Sequence, residues 1–380
     1  MSAGPDRVMR VVVCGTTFGQ VYLEAFRDTR LPFRLAGVLA QGSQRSRACA
    51  DHYGAPLYTD VDELPDDVDI ACVVVRGGLL GGRGVELVRR LLERGVHVLQ
   101  EHPLHHDELA ACLRLARARG VVYQLNSFYV HVAPARRFIA AARELLRLQP
   151  ALYVDAACGF QLAYSLLDVL ASMLGGVRPW ALADLAPASS ELRDLGRAEP
   201  PFRSLAGVIA GVPLTLLVQN QLDPSDPDNF AHLMHRVTLG TESGSLMLVN
   251  THGPVVWSPR PRYPRIPRDP AAGPYFAGTG GPGLEEASAV VVGPAVAPRY
   301  GEIFTSEWPA AIGRALLRLR EAILAGEDPL RRGQHHLALC RLWQDVASRL
   351  GPPELLDGTE PRTLSGDELA GLAVAAEAAG

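Results

Sequence analysis

Residues 98–106 read VLQEHPLHH, so three histidines, His102, His105 and His106, follow closely on a carboxylate, Glu101. Histidine changes charge near neutral pH, which suits it to proton transfer or to metal ligation. Zinc sites favour histidines paired at i, i+4 on one helix with a further ligand nearby, and this stretch shows no such frame. No metal is expected, and His105 and His106 read as residues that open a helix. Pro103 biases His102 towards an extended conformation at the end of a strand. A second proton carrier is Tyr129, in NSFYVH (126–131), with His131 close by and ranked below both. A tyrosine hydroxyl is a usable donor when the phenolate it leaves is stabilised. All 37 basic residues are arginine. No lysine is therefore present to act as base, Schiff-base former or proton donor.

These residues need a scaffold, and the first third of the chain supplies one. Apolar runs at 10–14, 33–40, 68–75, 96–100 and 121–125 alternate with helical patterns at 18–26, 45–54, 84–95 and 107–120. Strands separated by helices predict βαβ units and a parallel sheet. Ligands bind outside the carboxyl ends of such strands, which is where Glu101 and His102 fall. After residue 127 the pattern changes. A helix is expected at 134–147, a strand at 152–160, a helix at 164–176 and a strand at 212–221. A hairpin is expected over 235–251, turning near Glu242–Gly244, and amphipathic helices at 308–324 and 335–350. The fold class read from this is α/β: an N-terminal Rossmann parallel sheet (1–127), then an α+β domain with an open, mostly antiparallel sheet (128–350), and a tail (351–380).

The first strand runs into VVVCGTTFGQ. Gly15 and Gly19 stand where a dinucleotide-binding turn needs a tight bend and close approach to a pyrophosphate, and Thr17 takes the place of the usual middle glycine. Residues Gly15, Thr16, Thr17, Phe18 and Gly19 are the expected pyrophosphate contacts. The second strand ends VLAQGSQRSR without a carboxylate, but with Ser43, Arg45 and Arg47. An acidic residue there would favour NAD, and arginines suit a 2′-phosphate, so NADP(H) is the expected cofactor. Glu101 is counted with the cofactor contacts.

The formal net charge is −4, with no basic footprint for nucleic acid. Six cysteines are scattered, without C-x-x-C pairs or zinc spacing, and read as buried free thiols. The short apolar run after Arg7 and Arg10 ends at Gly15, too early for a signal peptide, and no stretch is long enough to span a membrane. A cytoplasmic location with reduced thiols is expected.

The Rossmann-type first domain, the VHVLQEHPL stretch (96–104) and an open-sheet second domain together resemble the Gfo/Idh/MocA oxidoreductases. Their motif at this corner is Glu-Lys-Pro, with the lysine as acid/base; here it reads Glu101-His102-Pro103. Their acidic-and-histidine pattern before the LLDVL helix is replaced by Gln161 and Ser165, while Asp168 remains. A narrower resemblance resolves the missing lysine. GTTFGQVYLEAF (15–26), LAQGSQRSR (39–47), VVRGGLLGGRG (74–84), QEHPLH (100–105) and YQLNSFYVH (123–131) are similar to the thiazolinyl imine reductases of siderophore assembly lines. That similarity runs from residue 10 to about 175 and is looser beyond.

The resemblance implies NADPH-dependent reduction of a thiazoline C=N bond to a thiazolidine. It also implies a substrate tethered by phosphopantetheine to a carrier domain of a nonribosomal peptide synthetase. It places the general acid at Tyr129 or His102; Tyr129 is favoured as donor with His102 orienting or relaying, and the roles are reversible. Two rivals stand beside this reading: a family member acting on a sugar or cyclic alcohol, and a non-catalytic NADP-binding sensor or scaffold. Residues 253–300 are rich in proline and glycine. Their basic stretch SPRPRYPRIPRD (258–269) suits docking of an acidic carrier or its phosphate. The open face of the second sheet suits pairing with a second copy.

Overall fold

The computed structural model describes residues 7–75, 83–185, 190–196, 200–262, 285–356 and 362–379. Six strands form the first sheet: β1 (Met9–Cys14), β2 (Phe33–Leu39), β3 (Leu57–Tyr58), β4 (Ile70–Val73), β5 (His97–Glu101) and β6 (Tyr123–Asn126). Their order is β3-β2-β1-β4-β5-β6, and every pairing is parallel. This is the doubly wound dinucleotide-binding order. The middle strands are continuous β-branched runs because helices cover both faces; Val11, Val12, Val13, Ile70 and Val98 are all fully buried. The helices are α1 (Gly19–Glu24), α2 (Gln44–His52), α3 (Arg83–Glu93) and α4 (His106–Arg119). α1 is short and passes into a 3₁₀ turn at Ala25–Arg27. α4 stops at Gly120, whose φ of 67° supplies the left-handed cap.

The chain then enters α5 (Ala133–Leu148), with Pro134 in its first turn, followed by β7 (Ala151–Gly159) and α6 (Ala163–Leu174). Next come β8 (Trp180–Leu182), α7 (Ser190–Leu195), β9 (Phe202–Ile209), β10 (Val212–Gln219) and β11 (Gln221–Leu222). β12 (His235–Thr241), β13 (Gly244–Leu248), β14 (Val255–Pro259) and β15 (Val290–Val291) complete the second sheet. Its order is β15-β14-β13-β12-β7-β10-β9-β8. Within this sheet only β7 and β10 pair in parallel among the described strands, so it is mostly antiparallel. The expected hairpin is present, with Thr241 paired to Gly244 across the turn. A hairpin that sequence reading missed joins β9 to β10 through Ala210 and Gly211, which take φ of 50° and 81°. Two positive φ values in succession are what a two-residue turn of the I′ kind demands.

The end of the chain returns to the first domain. After α8 (Tyr300–Glu302), helix α9 (Trp308–Leu324) packs on α1, and α10 (Pro329–Leu350) packs on α4, β6 and α6. Helix α10 therefore bridges the two sheets, touching β6 of the first and β8 of the second, while α9 covers α1 and β5 of the first. Beyond them, β16 (Glu354–Leu355) pairs with β11, and α11 (Gly366–Ala379) is solvent-exposed. No helix among the described residues is long and apolar enough to cross a membrane.

Leu319 of α9 is fully buried in a hydrophobic core that runs through both domains. Leu319→Ala should lower the free energy of unfolding by about 2–5 kcal/mol. Because one core runs through both domains, denaturation followed by tryptophan fluorescence and by far-UV circular dichroism should shift together. Two separated transitions would mean that the domains unfold independently.

Candidate active site

The carboxyl ends of β5 and β6 lie side by side, with Glu101 paired to Asn126. Glu101 accepts a hydrogen bond from the Tyr22 hydroxyl of α1 and a longer one, 3.4 Å, from the Asn126 amide. Asn126 also donates to the Tyr22 oxygen at 2.6 Å. Glu101 is thus tied into an internal hydrogen-bond network with α1 and β6. Burial, then the Glu101 charge, push the Tyr22 hydroxyl well above its ordinary pKa, which keeps it a donor.

His102 follows directly, and its peptide bond to Pro103 is cis. Its Nδ1 lies 2.9 Å from the Glu101 carboxylate and 3.0 Å from the Asn126 carbonyl. Both neighbours only accept, so Nδ1 carries the proton and Nε2 is the other edge of the ring. The ring stacks on Tyr164 of α6 at 5.2 Å between centroids. His105 and His106 lie apart from this corner. His105 caps α4 by accepting from the Asp107 amide, and His106 accepts from Arg341.

Tyr129 opens the short turn after β6. Its ring meets His235 of β12 edge-on at 4.8 Å, Phe128 at 4.9 Å and Trp308 at 6.3 Å. Among the described residues its hydroxyl makes no hydrogen bond, although only 7% of the residue is exposed. Burial, with the Asp228 and Glu101 charges behind it, raises its pKa far above the usual tyrosine value. His235 is held from both sides. Ser165 donates to the Leu162 carbonyl at 2.9 Å, so its oxygen accepts from His235 Nε2 at 2.9 Å. His235 Nδ1 then accepts from Thr251 at 2.9 Å. Burial pushes His235 down to about 3, so it is neutral at physiological pH. His131 points away from this corner and is likewise held neutral, at about 3, by burial and by the Arg318 charge.

The glycine turn sits at the end of β1. Gly15 takes φ +104°, and a Cβ there would come within 2.6 Å of the Val74 carbonyl, so glycine is required. Gly19 has room for a methyl group, so its conformational demand is weaker than expected. Thr16 is buried, with its carbonyl accepting from Gln20, and Thr17 is exposed on the rim. The Phe18 ring turns into an aromatic cluster with Phe128 and Trp308, at 5.6 and 5.9 Å, so only its backbone is left for a phosphate. Ser43 caps α2 by accepting from the Ser46 amide, and Arg45 and Arg47 are exposed. Two residues apart on one helix, these arginines leave from different sides and do not form a single fork. The turn, its position at the switch between β1 and β4, and the free cations at the end of β2 fit a nicotinamide dinucleotide.

Several residues of the site escaped sequence reading: Tyr164, His235, Trp308 and the pair His335–His336. The doubled histidine on α10 was the one signal for the last of these. Asp168 accepts from Ser127, from His335 at 2.6 Å and from Ser172 at 3.3 Å. Burial works to raise this carboxyl, but the His335 bond and the two histidine charges outweigh it and hold it well below the usual carboxylate range. His336 bonds the Tyr164 hydroxyl at 3.0 Å, and burial pushes it down to about 4. Ligand-type atoms of Asp168, His335 and His336 lie within 4.8 Å of one another. The Asp168 oxygens and His336 Nδ1 already have hydrogen-bond partners.

Comparison with known proteins agrees with this geometry. The Gfo/Idh/MocA description "Oxidoreductase family, NAD-binding Rossmann fold" matches residues 9–127. "Thiazolinyl imine reductase Irp3-like, C-terminal" matches residues 149–258. No curated protein matches. Among solved structures, a 3-ketoreductase from Actinomadura kijaniata in complex with NADP has a TM-score of 0.59 at 17% identity, over 91% of this chain and 98% of that one. UDP-N-acetylglucosamine 3-dehydrogenase from Acidithiobacillus ferrooxidans has 0.58 at 14%, over 90% and 99%. A protein of gentamicin A biosynthesis in complex with NAD has 0.60 at 15%, over 96% and 99%. Residues 9–127 thus match the NAD(P)-binding Rossmann domain of the Gfo/Idh/MocA oxidoreductases, and residues 149–258 match the C-terminal domain of the thiazolinyl imine reductase type.

The buried histidines make stability pH-dependent. His131 and His235 are lowered to about 3, and His97, His252 and His336 to about 4, each chiefly by burial. In the unfolded chain they bind protons below about pH 6.5. Their contribution is complete above that value and is lost as the pH falls through the folded values. Urea unfolding from pH 7.5 to 5 should show a falling free energy, each histidine adding up to about 1.4 kcal/mol per pH unit. His252→Gln should flatten the slope by about one proton; an unchanged slope would refute the linkage.

Proposed function

We propose that the protein is an NADPH-dependent thiazolinyl imine reductase. It reduces a thiazoline C=N bond to a thiazolidine while a carrier domain of a nonribosomal peptide synthetase holds the substrate through phosphopantetheine. The product belongs to siderophore assembly, and the enzyme works in the cytoplasm, where its buried free thiols stay reduced. The observation that carries the reading is the second domain's match, taken together with a histidine where the wider family keeps lysine. The choice of NADPH rests on Ser43, Arg45 and Arg47 after β2, where no carboxylate stands.

When bound, the cofactor supplies the hydride that adds to the imine carbon. The ring nitrogen then needs one proton from a positioned acid. Tyr129 is that donor in this reading. Its burial keeps the hydroxyl protonated across the working pH range. A nitrogen left with a lone-pair charge is a far stronger base than a phenolate, so the raised pKa does not block transfer. His235, neutral and edge-on to the Tyr129 ring, packs against the donor and holds it in place. His102 is fixed by the Glu101 carboxylate and the Tyr164 ring, and it orients or relays.

In this reading the basic stretch 258–269 docks the acidic carrier or its phosphate. Arg262 pairs with Glu286 at 3.5 Å, and residues 263–269, Arg265 among them, lie outside the described residues. The outer face of the second sheet is better suited to a partner, namely a second copy of this chain. A row of Ala206, Thr215, Asp155, Thr238 and Met247 crosses it, with no helix above among the described residues. Thr238→Arg should convert a dimer to a monomer in analytical ultracentrifugation; a monomeric wild type would remove the idea.

Loss of NADPH absorbance with a hydroxyphenyl-thiazoline thioester tests the reaction. Tyr129→Phe should lower kcat by about 10²–10⁴-fold with cofactor affinity unchanged, and His102→Ala should do so less severely. A greater loss in His102→Ala would reverse the two roles, and wild-type turnover in the double variant would end the assignment. Turnover on a panel of sugars and cyclic alcohols, and none on the thiazoline, would move the protein to the wider family's chemistry. Cofactor binding without any turnover would favour a sensor.

A further inference from the structure

A groove of about 650 Å³ runs between α5 and α9, on the side of the 129–131 turn remote from the catalytic corner. Its walls carry Arg136, Arg137 and Arg143 from α5, and Arg314 and Arg318 from α9. None of the five forms an ion pair with a described carboxylate, whereas the neighbouring Arg332 is matched by Glu327 at 2.7 Å. The single acidic residue in the lining is Glu321. Five like charges converging on one concave surface repel one another, and that repulsion is relieved by a bound anion.

One of the five is built for a ligand rather than for solvent. Arg314 uses Nε to bind the His131 carbonyl at 2.8 Å, while its Nη2 is shut off from water and has no partner. A buried guanidinium nitrogen without an acceptor is costly, so a small turn of the Arg314 fork towards an anion in the groove would be favourable. Burial and the adjacent Arg136 charge already hold Arg314 below the usual arginine pKa. The remaining wall includes Val130, Ala133, Ile139 and Leu317, with His131 and Ser172 beside them. It is mostly apolar, and no Phe, Tyr or Trp ring lines it.

We propose that this groove is a second anion site, taking a compact phosphorylated small molecule with two adjoining phosphate groups. Planar guanidinium forks from two facing helices match such a ligand's oxygens pairwise. An occupant would also reach the reaction centre indirectly, because Arg314 holds the carbonyl of His131, two residues beyond Tyr129. The inference does not depend on which substrate the enzyme reduces.

Inorganic pyrophosphate is the probe, titrated calorimetrically into the full-length protein at constant ionic strength. The wild type should bind it saturably at one site outside the cofactor turn. Arg136→Glu and Arg318→Glu, both at exposed side chains, should each weaken it at least about tenfold with unchanged circular dichroism. Arg45→Glu, at the expected cofactor phosphate, should leave it intact. Retention of binding in the two groove variants, its loss in Arg45→Glu, or the absence of saturable binding in the millimolar range would each overturn the proposal.

Discussion

A largely buried carboxylate organises the candidate catalytic corner. Glu101 ends β5 with only 14% of its side chain exposed, so its charge has to be met from within the protein. Three groups meet it: the Tyr22 hydroxyl, the Asn126 amide and His102 Nδ1. Tyr22 rides on the helix that follows the glycine turn, Asn126 ends β6, and His102 extends β5. The same oxygen atoms therefore fix the cofactor turn, the sheet edge and the proton-carrying histidine in one frame. Where the Gfo/Idh/MocA motif has lysine, His102 keeps a hydrogen bond to the glutamate but presents a flat ring, and Tyr164 supplies the surface on which that ring lies.

The second constraint is aromatic. Phe128 is fully buried with φ 61°, a region an aromatic residue seldom occupies. Its amide bonds the Asn126 side chain at 3.1 Å, and its ring packs edge-on against Phe18, Tyr129 and Trp308. Those contacts hold the unfavourable backbone in place. The bend they fix turns Tyr129 away from the first sheet and against His235 of the second. The chain thus spends backbone strain on aiming its candidate acid across the domain boundary.

Much of the first domain was legible because parallel strands covered on both faces must be apolar along their whole length, and the helices between them end in glycines such as Gly120. The strand order follows once the glycine turn marks β1. The second domain was harder. Its 235–251 hairpin carries a polar turn with glycine at Gly244, while the β9–β10 hairpin turns on Ala210-Gly211, and alanine gives no turn signal. β8 and β15 are too short to show a period. At the site, the residues local to β5 and β6 could be named from sequence. Glu101 could be named too, although its inward partners could not. Ser165, His235, Thr251 and Trp308 join the corner from distant segments, and one-dimensional spacing holds no trace of such meetings.

The helices that close the structure are made late. α9 and α10 end at residues 324 and 350, yet they cover α1, α4 and β6 of the first domain. A chain leaving the ribosome can pair its six parallel strands early, but the apolar flanks meant for Leu316, Leu319 and Leu339 stay bare until some three hundred residues have emerged. The nucleotide half and the substrate half are thus completed in a single final step. A message truncated before α9 would yield a Rossmann sheet with uncovered sides, a substrate for chaperones rather than a free-standing cofactor-binding domain.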